Sequence, residues 1–126
     1  TPVIVETNTN TDTNTTPSSP ARYLVYTPST FEGAKNEIAS GGKLLLYFHV
    51  DWSSVCQELD QDITTSLDEL PDNLTILKAD FEKDVAVKEQ YGVIHEHTFV
   101  QVDSQGNKIT AWGSGSNAGD IPNHLQ

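Results

Sequence analysis

The chain has 126 residues, a formal net charge of −11, one Cys and no Met. The length fits one domain with spare chain at an end. Seven Lys+Arg against 18 Asp+Glu leave no basic surface for nucleic acid or an anionic membrane, and a single Cys allows neither an intramolecular disulfide nor an all-Cys zinc site.

Thr1 to Pro20 holds seven Thr, three Asn, three Pro and two Ser, with Val3, Ile4 and Val5 as its apolar content. Such a segment buries too little surface to offset the entropy of ordering it. Residues 1–20 are therefore expected to be a disordered tether, with at most a short edge strand at Val3–Val5, and residues 21–126 a folded domain. Thr/Asn/Pro/Ser-rich linkers are common in exported proteins, so a periplasmic or other extracytoplasmic location is expected. The absence of Met is read as a mature form whose signal or membrane anchor has been removed, or as an excised piece. Asn14-Thr15-Thr16 and Asn73-Leu74-Thr75 match the glycosylation sequon, but chance matches are frequent and nothing is built on them.

From Ala21 onward strands and helices alternate. Tyr23-Leu24-Val25-Tyr26 reads as a strand, and Pro28-Ser29 opens a helix carrying Phe31, Ala34 and Ile38 on one face, ended by Gly41-Gly42. Lys43 to Val50 is an apolar run of strand length, the pattern of a central strand buried on both faces. A helix is predicted over about Ser53 to Leu70, with Cys56, Leu59, Ile63, Leu67 and Leu70 inward. Leu74 to Phe81 is a strand, and Asp84 caps a helix that runs to Tyr91 and stops at Gly92. Thr98–Val102 and Lys108–Trp112 form a hairpin around Ser104–Asn107, and Asp120–Gln126 gives one or two final helical turns. The order β-α-β-α-β-α-β-β-α predicts an α/β protein: a central mixed sheet of about five strands flanked by helices on both faces.

Sites in such sheets lie beyond the carboxyl ends of the strands. The most buried strand leads into Asp51-Trp52-Ser53-Ser54-Val55-Cys56, so the single Cys falls in the first turn of a helix, where free N–H groups and the helix dipole favour a thiolate. The same position also suits an inert buried Cys, and both readings stay open. A Cu or Zn site made of Cys56 and His97, with His49 or His95, has too few ligands on one face, since His95-Glu96-His97 on a strand-like stretch would point its rings oppositely. Asp80 to Asp84 lacks the Gly and Glu of a calcium loop. No metal or cofactor is therefore expected.

Phe48-His49-Val50-Asp51-Trp52-Ser53-Ser54-Val55-Cys56, followed by Leu59 and Asp60, resembles the active-site segment of the thioredoxin-like family, where an apolar strand leads into Trp-Cys-x-x-Cys and a helix. The resemblance continues through Leu77–Asp80, Tyr91–Val93, Thr98–Val100, Asp103–Gly106 and Trp112-Gly113, covering about residues 22 to 125, and is nearest to small exported bacterial members. It implies a thioredoxin-like fold and a thiol–disulfide oxidoreductase acting on protein disulfides or dithiols. By this likeness Ser53 falls on the attacking Cys and Cys56 on the resolving one. Trp52, His97 and Thr98 fall on the substrate-docking surface, while Ser54, Val55, Tyr47 and His49 are positions that could tune the site.

Three departures stand out. Ser53 cannot ionise near neutral pH or form a disulfide, so this form is not expected to turn over. It is either native or an engineered Cys→Ser change, and the survival of Trp52 and Cys56 around it favours the second. His97 replaces the family's cis-Pro, and a cis bond before a non-Pro residue costs about 2.5–4 kcal/mol, so the bond is trans, or cis under strain; either way His97 is expected near Ser53 and Cys56. Tyr47 stands where the family has a buried Asp, and neither His49 nor Glu58 can be assigned its proton-transfer role. The expected partners are protein substrates or a redox partner protein, taken up by a monomer. The alternatives are a redox-silent peptide-binding module and, less favoured, a Cu/Zn carrier through Cys56 and His97.

Overall fold

A computed structural model describes residues 20–113, 119 and 121–126. The predicted tether, apart from Pro20, lies outside the described residues, as does the strand considered at Val3–Val5. The elements in chain order are β1 (Arg22–Val25), α1 (Pro28–Ile38), β2 (Lys43–His49), α2 (Ser54–Thr65), a 3-10 turn (Leu67–Glu69), β3 (Leu74–Asp80), α3 (Val85–Gln90), β4 (Thr98–Val102), β5 (Lys108–Gly113) and α4 (Ile121–His124). The predicted order therefore holds, and the five strands form one mixed sheet in the order β1-β3-β2-β4-β5. β3 is parallel to both β1 and β2, while β2–β4 and β4–β5 are antiparallel.

The central strand is β2, and its side chains alternate between two cores. Leu44, Leu46 and Phe48 pack with Phe31 and Ala34 of α1 and Val87 of α3. Leu45 and Tyr47 face Leu59 and Ile63 of α2, Phe99 of β4 and Ile121 of α4. Burial on both faces is why this strand reads as a continuous apolar run rather than an alternating one. Gly42, just before it, has φ +124, and a Cβ there would lie 2.6 Å from the carbonyl oxygen of Asn73, which Lys43 N–H needs as its acceptor. A close approach of two backbones fixes the start of β2.

α1 is capped at Thr27 by a reciprocal arrangement: Thr27 Oγ1 accepts from Thr30 N–H, and Thr30 Oγ1 accepts from Thr27 N–H. One helix end and one helix cap differ from the sequence expectation. The helix expected to reach Leu70 ends at Thr65, and Ser66, with φ −111, starts a 3-10 turn. The hydroxyls of Thr64 and Thr65 turn back onto the carbonyls of Asp60 and Gln61, a competition with the helix ladder that weakens its last turn. Leu67 is consequently only half-buried, although Leu70 returns to the core. Asp84 is the N-cap residue of α3 but makes no side-chain cap; its carboxylate instead accepts from Asp80 N–H at 2.7 Å, closing the loop after β3.

Candidate functional site

β2 ends at His49, and the chain passes through Val50, Asp51 and Trp52 before α2 begins. Ser53 is the N-cap of α2: its backbone is extended, and its hydroxyl accepts from Cys56 N–H at 3.4 Å. The cap satisfies one of the donors that every helix leaves free at its start. Ser53 is half-buried, Ser54 and Val55 are exposed, and Cys56, one turn in, is fully buried and free. The structure therefore separates the two motif positions by depth, with Ser53 at the surface and the thiol beneath it.

Tyr47 closes the site from below. Its ring is fully buried and its hydroxyl donates to the Cys56 carbonyl at 3.4 Å. Burial, reinforced by the adjacent Cys56, holds the phenol far above its ordinary range, so Tyr47 stays a neutral donor and cannot replace an ionised carboxylate. Its ring is edge-on to His49 at 5.7 Å and stacked on Phe99 at 4.9 Å. Phe99 stacks on Trp112, which stacks on His124. His49 is buried, with Nδ1 3.4 Å from Asp51 Oδ1. Desolvation, with Lys78 second, lowers its pKa from the ordinary 6.5, which keeps the imidazole neutral. Glu58 is exposed.

A polar cluster that the sequence reading missed lies beside Cys56. Asp60, four residues on along α2, accepts from Tyr23 Oη of β1 at 2.7 Å and from Lys78 Nζ of β3 at 3.1 Å. Partial burial pushes the Asp60 carboxyl up, but the Tyr23 and Lys78 hydrogen bonds and the lysine charge outweigh it, and the net shift is downward. Burial, together with Asp60, holds the Tyr23 phenol far above its ordinary range. The available signal was Lys78, a charged residue in the middle of an otherwise buried strand.

At the surface, Trp52 is 66% exposed, and its indole N–H donates to Glu82 Oε2 at 3.2 Å. His97 precedes β4 in a loop whose backbone reaches φ +45, and all peptide bonds among the described residues are trans, so the trans alternative is the one realised. Thr98 donates its hydroxyl to the His95 carbonyl at 2.8 Å and thereby ties the loop to itself. The strand-like stretch on which opposite directions for His95 and His97 were expected is absent: residues 93–97 are not a strand. Both line one groove of about 410 Å³, together with Val93, Ile94, Ala111 and Trp112. His97 Nε2 lies 3.8 Å from Glu96 Oε1, and neither Ser53 nor Cys56 lines the groove. Among the described residues no group of three or more His, Cys, Asp or Glu is placed to hold a metal ion.

The family model for thioredoxin matches residues 23–125. No curated protein matches the chain at a significant level. Similar solved structures include Trxlp from Edwardsiella tarda, with 19% identity, a TM-score of 0.65 and coverage of 82% of this chain and 98% of that one. Thioredoxin from Fasciola hepatica is 21% identical, with a TM-score of 0.64 over 80% and 93% of the two chains. Poplar thioredoxin h, PtTrxh4, is 16% identical, with a TM-score of 0.66 over 81% and 90%. At these identities the structural likeness speaks to the fold.

Proposed function

Because the chain belongs to the thioredoxin family, we propose that its site is that of a thiol–disulfide oxidoreductase for protein substrates, held in a non-cycling form by Ser53. The observation that carries this reading is the pairing of Ser53 and Cys56. The serine occupies the half-buried N-cap of α2 after the central strand, and its hydroxyl meets the amide of a fully buried cysteine one turn on. In the two-thiol form, a thiolate at position 53 attacks one sulfur of a substrate disulfide and releases one substrate thiolate. The Cys56 thiolate then attacks the mixed disulfide, forming an internal disulfide and releasing the second substrate thiolate. With a hydroxyl at 53 the first step has no nucleophile near neutral pH.

The Ser53→Cys variant tests this directly. It is expected to form a reversible internal disulfide with a potential between about −120 and −270 mV, and to reduce insulin in the presence of dithiothreitol well above the uncatalysed rate. The unaltered chain is expected to match the uncatalysed control. Failure of the variant to close a disulfide in oxidising buffer would refute the reading.

A second reading, a redox-silent peptide-binding module, is favoured by one specific observation: the only thiol is fully buried, while Trp52 and an apolar groove are open at the surface. Both readings act on a polypeptide partner through a single protomer. The Thr/Asn/Pro/Ser composition of residues 1–20 supports an exported, tethered setting for either.

A further inference from the structure

The same end of the sheet carries information about which polypeptides it accepts. His49 pairs with Asp80 across β2–β3, Phe48 with Thr98 across β2–β4, and Thr98 with Gly113 across β4–β5. The segments 50–53, 80–84 and 95–97 therefore adjoin the sheet side by side at one edge. This edge exposes apolar surface: Trp52 is 66% exposed, Ile94 76% and Val55 36%. Beside them runs the groove lined by Val93, Ile94, His97, Ala111 and Trp112.

Around that apolar surface carboxylates outnumber cations, although Lys88 Nζ of α3 lies 4.2 Å over the Phe81 ring. Asp51, Asp80, Glu82, Asp84 and Glu96 stand in the three segments, with Lys83 as their single Lys or Arg. Lys108 lines the groove at its far end, where β5 begins. The Asp51 side chain is 91% exposed, Glu82 is exposed and holds the Trp52 indole, and Glu96 is about a third exposed beside His97. Asp80 and Asp84 accept backbone N–H bonds within their loop. The chain as a whole carries −11, so a second copy of itself is a repelled occupant.

We propose that the occupant is an extended basic polypeptide segment, with an apolar side chain in the groove and against Trp52 and with Lys or Arg flanking it toward Asp51, Glu82 and Glu96. Apolar contact supplies the seat, and the carboxylates supply discrimination and attraction at a distance. This proposal rests on the reading above that the site takes polypeptides, and it adds the chemical class.

The test uses the full chain and three dye-labelled ten-residue peptides that share a central Leu-Val-Leu and differ only in flanks of Lys, Ser or Glu. Anisotropy titrations at about 20 mM salt are expected to show the Lys peptide binding at least about tenfold tighter than the Glu peptide, with the gap closing toward about 500 mM salt. The triple variant Asp51→Asn/Glu82→Gln/Glu96→Gln is expected to remove most of the preference while still binding the Ser peptide. Equal binding of the three peptides, a preference for the Glu peptide, or a Lys preference untouched by the triple variant would overturn the basic-partner proposal and leave the peptide-binding reading standing. Absence of binding by all three would overturn both. Binding of the Lys peptide that is lost together with the Ser peptide in the triple variant would point to a damaged site and count against discrimination by charge.

Discussion

Replacing Asp60 by Asn tests whether the cluster beside Cys56 is held together by charge. The carboxylate accepts from Tyr23 Oη at 2.7 Å and from Lys78 Nζ at 3.1 Å. Hydrogen bonds to a charged group contribute about 1.5–3 kcal/mol when buried. The Asp60 side chain is about a third exposed, and Asn keeps one acceptor, so solvent screening brings the expected cost to about 1 kcal/mol at pH 7. The sign with pH follows from the lowered pKa of Asp60 in the folded state. Its contribution is fully present above the ordinary value near 3.8, and it is lost as pH falls through the lower folded value. His49 behaves as a buried neutral base whose folded pKa lies below 6.5, so the unaltered protein as a whole loses stability as pH drops below that value. Urea denaturation of the unaltered chain and of Asp60→Asn at pH 7, 5 and 3 separates the two effects. The variant should be weaker at pH 7 and pH 5, and the gap should narrow at pH 3. A penalty that is the same at pH 7 and pH 3 would mean that the side chain acts through shape alone, and the electrostatic account would fail.

Two further substitutions probe the frame around the site. Phe99→Ala removes a fully buried ring stacked between Tyr47 and Trp112, and is expected to cost about 4 kcal/mol, read as a large drop in thermal midpoint together with a change in Trp fluorescence; a loss below about 1 kcal/mol would show that the stack can collapse around the gap. Ser53→Ala removes the α2 cap, and because the bond is long at 3.4 Å the cost should lie near the lower end of the capping range, about 0.5 to 1 kcal/mol in urea unfolding. No measurable change would mean that the serine does not cap α2.

The order of elements is legible in the amino-acid pattern, because the periodicity of burial is a local property: the run Lys43–Val50 had to be a strand covered on both faces, and Phe31, Ala34 and Ile38 had to share one helix face. The pattern also places Ser53 at the start of α2 and Cys56 in its first turn, since a helix fixes the spacing of residues three apart. Helix length was less legible, because Thr64, Thr65 and Ser66 fit the apolar period while their hydroxyls compete for the backbone.

Which distant residues meet depends on how the elements pack. Tyr23, Asp60 and Lys78 come from β1, α2 and β3, and nothing in their spacing signals a shared hydrogen-bond cluster. His95 and His97 were expected on a strand-like stretch, yet residues 93–97 form a loop, with φ +45 at His97, and both residues line one groove. Depth, too, belongs to the fold: the burial of Cys56 beneath an accessible Ser53 depends on Tyr47 rising from β2 to meet the helix. Local pattern selects the elements, while desolvation and partner geometry, which set the chemistry of a site, arise only once separate elements pack.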